Sequence, residues 1–323
     1  KKSNTGSRFL QSVSKPLAAG FALFGLLASS VGTPLVQSNT IAMSVNDAVL
    51  LFLPKAEQKT VCIIAGAVTA ALVGIVILGG IQRIGKASEI IVPFMAIGYI
   101  AICIIVLSRF GSRILPAFCD IFSSALGIKQ AVGGAAGFGA ARALRIGMAR
   151  GVYSNEAGVG SAPMAHACAN TNDPVKQGMY GIFEVFADTI VMCTMTALVV
   201  LASGIPLQAC GEISGTSIAL RAFSTVLPER TTGIFLAVSM LLFAYTSLLG
   251  WAVYGMQCAK YLFGKRAQVP FCILYTVLTF AGALMKVDFV WTAGETLNYL
   301  MAAPNMLALL VLNREVRRAT AFA

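Results

Sequence analysis

Charged residues are sparse in this sequence. Of 323 residues only 24 are Lys or Arg and 13 are Asp or Glu, while 57% are hydrophobic and the mean hydropathy is +0.81. Soluble domains carry roughly a quarter of their residues as charges. The shortage excludes that class and points to an all-α polytopic membrane protein. Histidine is scarcer still, with His166 alone. One imidazole without a second ligand or an orienting acid makes neither a metal site nor a catalytic triad. Eight cysteines are present, but none stands in a Cys-x-x-Cys pair, and most fall in apolar windows where Cys acts as a small hydrophobe. The glycine-rich GGAAGFG lacks the Lys-Ser/Thr ending of a phosphate loop. No feature asks for an enzyme or an organic cofactor. The chain opens KKSNTGS without a signal-peptide pattern, and reads as missing an upstream segment.

The formal charge of +11 invites a nucleic-acid reading. The cations, however, lie between apolar windows instead of forming one stripe with interleaved aromatics, so no nucleic-acid partner is expected. They read as topogenic. Their excess in alternate connections favours an inside N-terminus and an inside C-terminus.

Charge-free windows cover 16–46, 60–82, 90–108, 189–211, 231–259, 267–285 and 296–313. Each is near or above the ~18 to 20 residues that span hydrocarbon. With a glycine-interrupted segment over 138–169 counted as one more, about eight spans are expected, the last broken by Pro304. Segments 109–137 and 212–230 read as outer interfacial pieces rather than spans. One transmembrane domain over 1–323 accounts for the whole chain.

What is present at membrane depth matters more. Arg150 to Pro163 reads RGVYSNEAGVGSAP, and Gly158, Gly160 and Pro163 fit an uninterrupted helix badly. A break there frees backbone N–H groups for a carboxylate and carbonyls for a small hard cation or an ammonium group. The plainer reading is a surface loop capped by Asn155 and Glu156. Glu156 needs a partner or a wet cavity, and Arg150, Arg145 or Arg142 would provide a clamp. Thr246 and Ser247 interrupt an apolar helix just before Trp251. Their hydroxyls either help ligate a cation or bond to carbonyls one turn back. Glu184 and Asp188, four apart, share one helical face.

The stretch ARGVYSNEAGVGSAPMAHACANTNDPVKQG resembles the signature of the alanine or glycine:cation symporters, also called sodium:alanine symporters. VILGGIQRIGKASEIIVPFMAIGYI, FADTIVMCTMTALVVLASG, LLFAYTSLLGWAVYG and LNYLMAAPNMLALLVL follow the family's order, so the resemblance covers nearly the whole chain. It implies an inverted-repeat, leucine-transporter-type amino-acid transporter fold with discontinuous helices, and with the family's N-terminal helices absent from this sequence. It implies import of a small neutral amino acid, alanine or glycine, coupled to Na⁺ by alternating access in a bacterial inner membrane, with the lipid bilayer as surroundings and no cofactor beyond the coupling ion. Tyr153, Ser154, Asn155 and Gly158 would face substrate, with Gln37, Asn39 and Trp251 also in contact. Thr246 and Ser247 would ligate Na⁺. The alternative is an amino-acid-binding sensor, or a transport-inactive remnant of the same fold.

Overall fold

A computed structural model describes residues 5–125, 136–206 and 215–321, and among them every regular element is helical. In chain order these are α1 (Thr5–Leu27), α2 (Thr33–Leu50), α3 (Gln58–Ile77), α4 (Ile81–Ser108), α5 (Gly111–Ala125), α6 (Ala136–Asn155) and α7 (Ala162–His166). There follow α8 (Pro174–Val185), α9 (Thr194–Ala202), α10 (Gly215–Phe223), α11 (Glu229–Phe263), α12 (Gln268–Gly282) and α13 (Val287–Ala321). Two π-helical turns, Ala28–Gly32 and Phe186–Cys193, carry α1 into α2 and α8 into α9 without a loop. Such turns insert a residue and re-aim the side chains beyond them.

Among the described residues six stretches are long and apolar enough to cross a membrane: Ser14–Leu50, Gln58–Ile77, Ile81–Ser108, Pro174–Ala202, Glu229–Phe263 and Phe289–Asn313. The other two expected spans are the interrupted α6–α7 segment and α12, which is continuous for only 15 residues. Pro304 does not break the last helix as the sequence suggested, since α13 runs through it. Inside a packed bundle the carbonyl that proline leaves unpaired finds other donors, so the helix need not stop.

Local chemistry sets the ends. Asp173 caps α8, its Oδ1 accepting from the N–H groups of Val175 and Lys176 at 3.0 Å each, with Pro174 in the first turn where its missing N–H costs nothing. Gly264, at φ +82°, ends α11 in a conformation that side chains resist.

The core forms around α2 and α11. Ile41, Leu248, Leu249 and Tyr275 are almost wholly buried in one apolar cluster, and Tyr275 donates its hydroxyl to the Leu248 carbonyl at 2.6 Å. Gly282 lets α12 approach the α2 backbone, because a Cβ there would sit 2.6 Å from Leu35 Cα. Polar residues of α2 face inward as well, with Ser38 fully buried and Asn39 at 3% exposure. On α4, by contrast, Ile90, Phe94 and Ile97 lie 74%, 73% and 68% exposed on one stripe, an apolar face for acyl chains.

Candidate functional site

The break between α6 and α7 is built by a short run of left-handed backbone. Glu156, Gly158 and Gly160 have φ of +54°, +84° and +94°. Glycine tolerates this freely, but glutamate rarely does. Its neighbours hold it. Asn155 Oδ1 accepts the N–H of Ala157 at 2.9 Å, an Asx turn that starts the reversal. The Asn155 amide also donates to Thr189 Oγ1 at 3.1 Å, tying the break to the second π-turn. From α13, Asn305 donates to the Gly158 carbonyl at 3.0 Å, so one freed carbonyl is satisfied by a side chain.

The Glu156 carboxylate is held by two short hydrogen bonds, with Tyr254 as a further partner. Ser161, just past the break, donates to Oε2 at 2.5 Å, and the Trp251 indole N–H donates to Oε1 at 2.6 Å. Trp251 is 3% exposed and packs with Val159, Ala28 and Met301, so this contact joins the break to α11 inside a dry cluster. The arginine clamp expected from the sequence forms elsewhere. Arg150 pairs with Glu295 of α13 and lies over the Trp291 ring, 4.9 Å from its centroid. Helical geometry contributes to the difference: α6 ends at Asn155, and six residues advance about 600°, which already sets Arg150 about 120° around the axis from position 156. Arg145 is exposed, and the side chain of Arg142 lies outside the described residues.

Beside the break is a cavity of about 300 Å³, near the lower limit for small-molecule sites. The break contributes Ser154, Asn155, Glu156 and Ala162; α11 contributes Thr246, Ser247, Gly250, Trp251 and Tyr254. Ser88 and Val92 of α4 and Glu184, Val185 and Asp188 of the α8 segment complete the walls. Ser154, Asn155, Thr246, Ser247 and Trp251, singled out in the sequence, therefore meet across one space. Gln37, Asn39, Tyr153 and Gly158 do not line it. Asn39 instead donates to the carbonyls of Gly282 and Met285, at 3.2 and 2.8 Å, satisfying the end of α12. The Tyr153 ring lies 5.6 Å from Trp291.

Three carboxylates, Glu156, Glu184 and Asp188, border the cavity, and none of its lining residues is cationic. Ser154 and Thr189 each donate to Asp188 Oδ2, at 2.8 and 3.2 Å. Such a wall favours a cation or an ammonium group. Sequence spacing put Glu184 and Asp188 on one face; it gave no sign that this face meets the break. The Thr246 hydroxyl proton is directed at the carbonyls of Leu242 and Phe243, 3.0 Å each. That is the back-bonded arrangement, yet it leaves oxygen lone pairs free to accept or ligate.

His166 fastens α7 to α8. Gln177 lies 2.7 Å from its Nδ1 and Glu184 Oε2 lies 3.2 Å from its Nε2. With the Gln amide donating to Nδ1, the proton sits on Nε2 and points at Glu184. Ser161 is committed to Glu156, so serine and histidine form no hydrolytic pair.

Residues 8–322 match the sequence profile of the sodium:alanine symporter family. The sodium/alanine symporter AgcS of Methanococcus maripaludis is 38% identical over 302 residues, which are 93% of this chain and 63% of that protein. The probable sodium/glutamine symporter GlnT of Bacillus subtilis is 33% identical over 93% of the chain and 60% of its own length. The putative sodium/proton-dependent alanine carrier protein YrbD of the same organism is 31% identical over 92% and 62%. The chain thus spans 60% to 63% of the length of these relatives. It is a multi-pass protein of the plasma membrane and belongs to the sodium:alanine symporter family.

Proposed function

We propose that this chain works in the Na⁺-coupled import of a small neutral amino acid, alanine or glycine, by alternating access. The observation that carries the reading is the meeting of the helix break with the hydroxyl pair of α11 across one anionic cavity. In this reading Ser154, Asn155 and Trp251 contact substrate, and Thr246 and Ser247 offer oxygens to Na⁺. Asp188, poised by Ser154, faces the substrate ammonium. Na⁺ binding would stabilise the conformation in which the break and α11 close on substrate, and an ion can bias that equilibrium only through its different affinity for the two conformations. Gln37, Asn39, Tyr153 and Gly158 lie off the cavity, so substrate contact by them belongs to another conformation of the cycle.

The names of the relatives support amino-acid and sodium specificity without choosing among alanine, glycine and a larger neutral side chain. One methylene changes affinity in an apolar pocket by only ~1 to 3 kcal/mol. Uptake by Ser154→Leu and Thr246→Val, made in the gene product that carries this chain, tests the assignment. Loss of Na⁺-dependent alanine uptake with normal membrane abundance supports it, whereas undiminished coupled uptake by both variants removes these residues from the site. Tight alanine binding with no uptake by the unaltered protein would favour a sensor.

A further inference from the structure

The last turns of α2 carry a second polar feature, distant in sequence from every residue of the substrate cavity. Ser44, Asp47, Ala48 and Leu51 fall at helical spacing on one stripe. They border a small, partly open cavity whose other walls are Leu220 of α10 and Gly233, Leu236, Ala237 and Met240 of α11. Its free volume is about 20 Å³. One water needs roughly 10 to 15 Å³ measured this way, so there is room for a single water or a single small ion and none for an amino acid.

Its chemistry is lopsided. Apart from Ser44 and Asp47 the lining is apolar. Ser44 is 6% exposed, and its hydroxyl oxygen is buried with no hydrogen-bond partner in the structure. Asp47 lies half-buried in the last turn of α2, three residues before the end of the apolar stretch Ser14–Leu50. Asn46 hydrogen-bonds to it, and no Lys, Arg or His pairs with it among the described residues. A carboxylate at such a position is costly unless a counter-charge meets it, and a buried hydroxyl without a partner adds its own penalty. One small cation in the shared cavity removes both costs. A lone water satisfies the hydroxyl but leaves the charge.

We propose that Ser44 and Asp47 form a site for one small monovalent cation, Na⁺, separate from the substrate cavity. The proposal does not need that cavity to be coupled to Na⁺. The test is the melting temperature of the purified protein in detergent, titrated with NaCl against choline chloride at constant ionic strength. Wild type and the double variant Thr246→Val/Ser247→Ala, the latter alone and with Asp47→Asn or Ser44→Ala added, are compared. Na⁺ should still stabilise the double variant, in which the midpoint reports Ser44 and Asp47 without the hydroxyl pair of α11. Added to the double variant, Asp47→Asn should raise the Na⁺ midpoint at least ten-fold, and Ser44→Ala should move it the same way by a smaller factor, which also decides the matter if Asp47→Asn does not fold. An unchanged midpoint in whichever of these variants folds, or no Na⁺ response in the double variant, overturns the proposal and leaves a single trapped water. Failure of the symport reading would show separately, as absent uptake with this Na⁺ response intact.

Discussion

Replacing Trp251 by Phe removes one N–H from the Glu156 carboxylate while keeping an aromatic ring in the same dry cluster. The single substitution mixes two losses, the 2.6 Å hydrogen bond and the packing of the larger indole against Val159 and Met301. A double-mutant cycle with Glu156→Ala, which removes the acceptor, cancels the packing term. Hydrogen bonds to a charged acceptor contribute about 1.5 to 3 kcal/mol, whereas polar pairs between membrane helices average nearer 0.6 kcal/mol. Glu156 has two short donors and no cationic partner among the described residues, so the coupling should fall in the upper range, about 2 kcal/mol. Reversible unfolding in mixed detergent micelles, followed by tryptophan-independent far-UV circular dichroism, gives the four free energies. A coupling at or below about 0.6 kcal/mol would refute the claim that this contact fastens the break to α11.

The two glycines of the break should differ in their tolerance of alanine. Both have positive φ, which costs a side chain roughly 1 to 2 kcal/mol. At Gly160 the added Cβ would also meet Asn305 Cγ at 2.7 Å and Phe21 at 2.8 Å, whereas at Gly158 the nearest atom is Met306 Sδ at 3.6 Å. Gly160→Ala should therefore destabilise more than Gly158→Ala in the same unfolding assay, and equal losses would contradict the packing described. Arg150→Lys should behave nearly like Arg150→Ala, since lysine keeps the charge opposite Glu295 but cannot lay a planar fork on Trp291; full retention of stability by the lysine variant would sink that assignment. Asp188→Asn should raise the apparent KM for alanine at least ten-fold with abundance unchanged, and an unaltered KM would remove Asp188 from the substrate's surroundings.

The sequence made the break legible because its cause is local. Gly158 and Gly160 stand where helix propensity fails, and the Asn155 turn needs only neighbours two residues away. Long-range choices were hidden. Arg150 was free to suit Glu156 or Glu295, and only the angular position of each side chain on α6, together with the path of α13, decides between them. Asn39 entered as a substrate contact through the family resemblance alone, and nothing local in the sequence showed that its amide meets carbonyls at the end of α12, some 240 residues on. Pro304 read as a break because the rule for isolated helices ignores neighbouring donors. The pairing of Glu156 with Trp251 spans 95 residues, beyond any periodic signal. Glu184 and Asp188 were visible as a face, but which space that face borders depends on how α8 and α11 flank the break.

The most direct test of the transport reading is uptake of labelled alanine into vesicles containing the gene product that carries this chain, with Na⁺ or choline outside at fixed pH. Accumulation above the equilibrium level with Na⁺ and none with choline is expected. Equal uptake in both, or none in either with the protein folded in the membrane, would contradict Na⁺-coupled alanine symport.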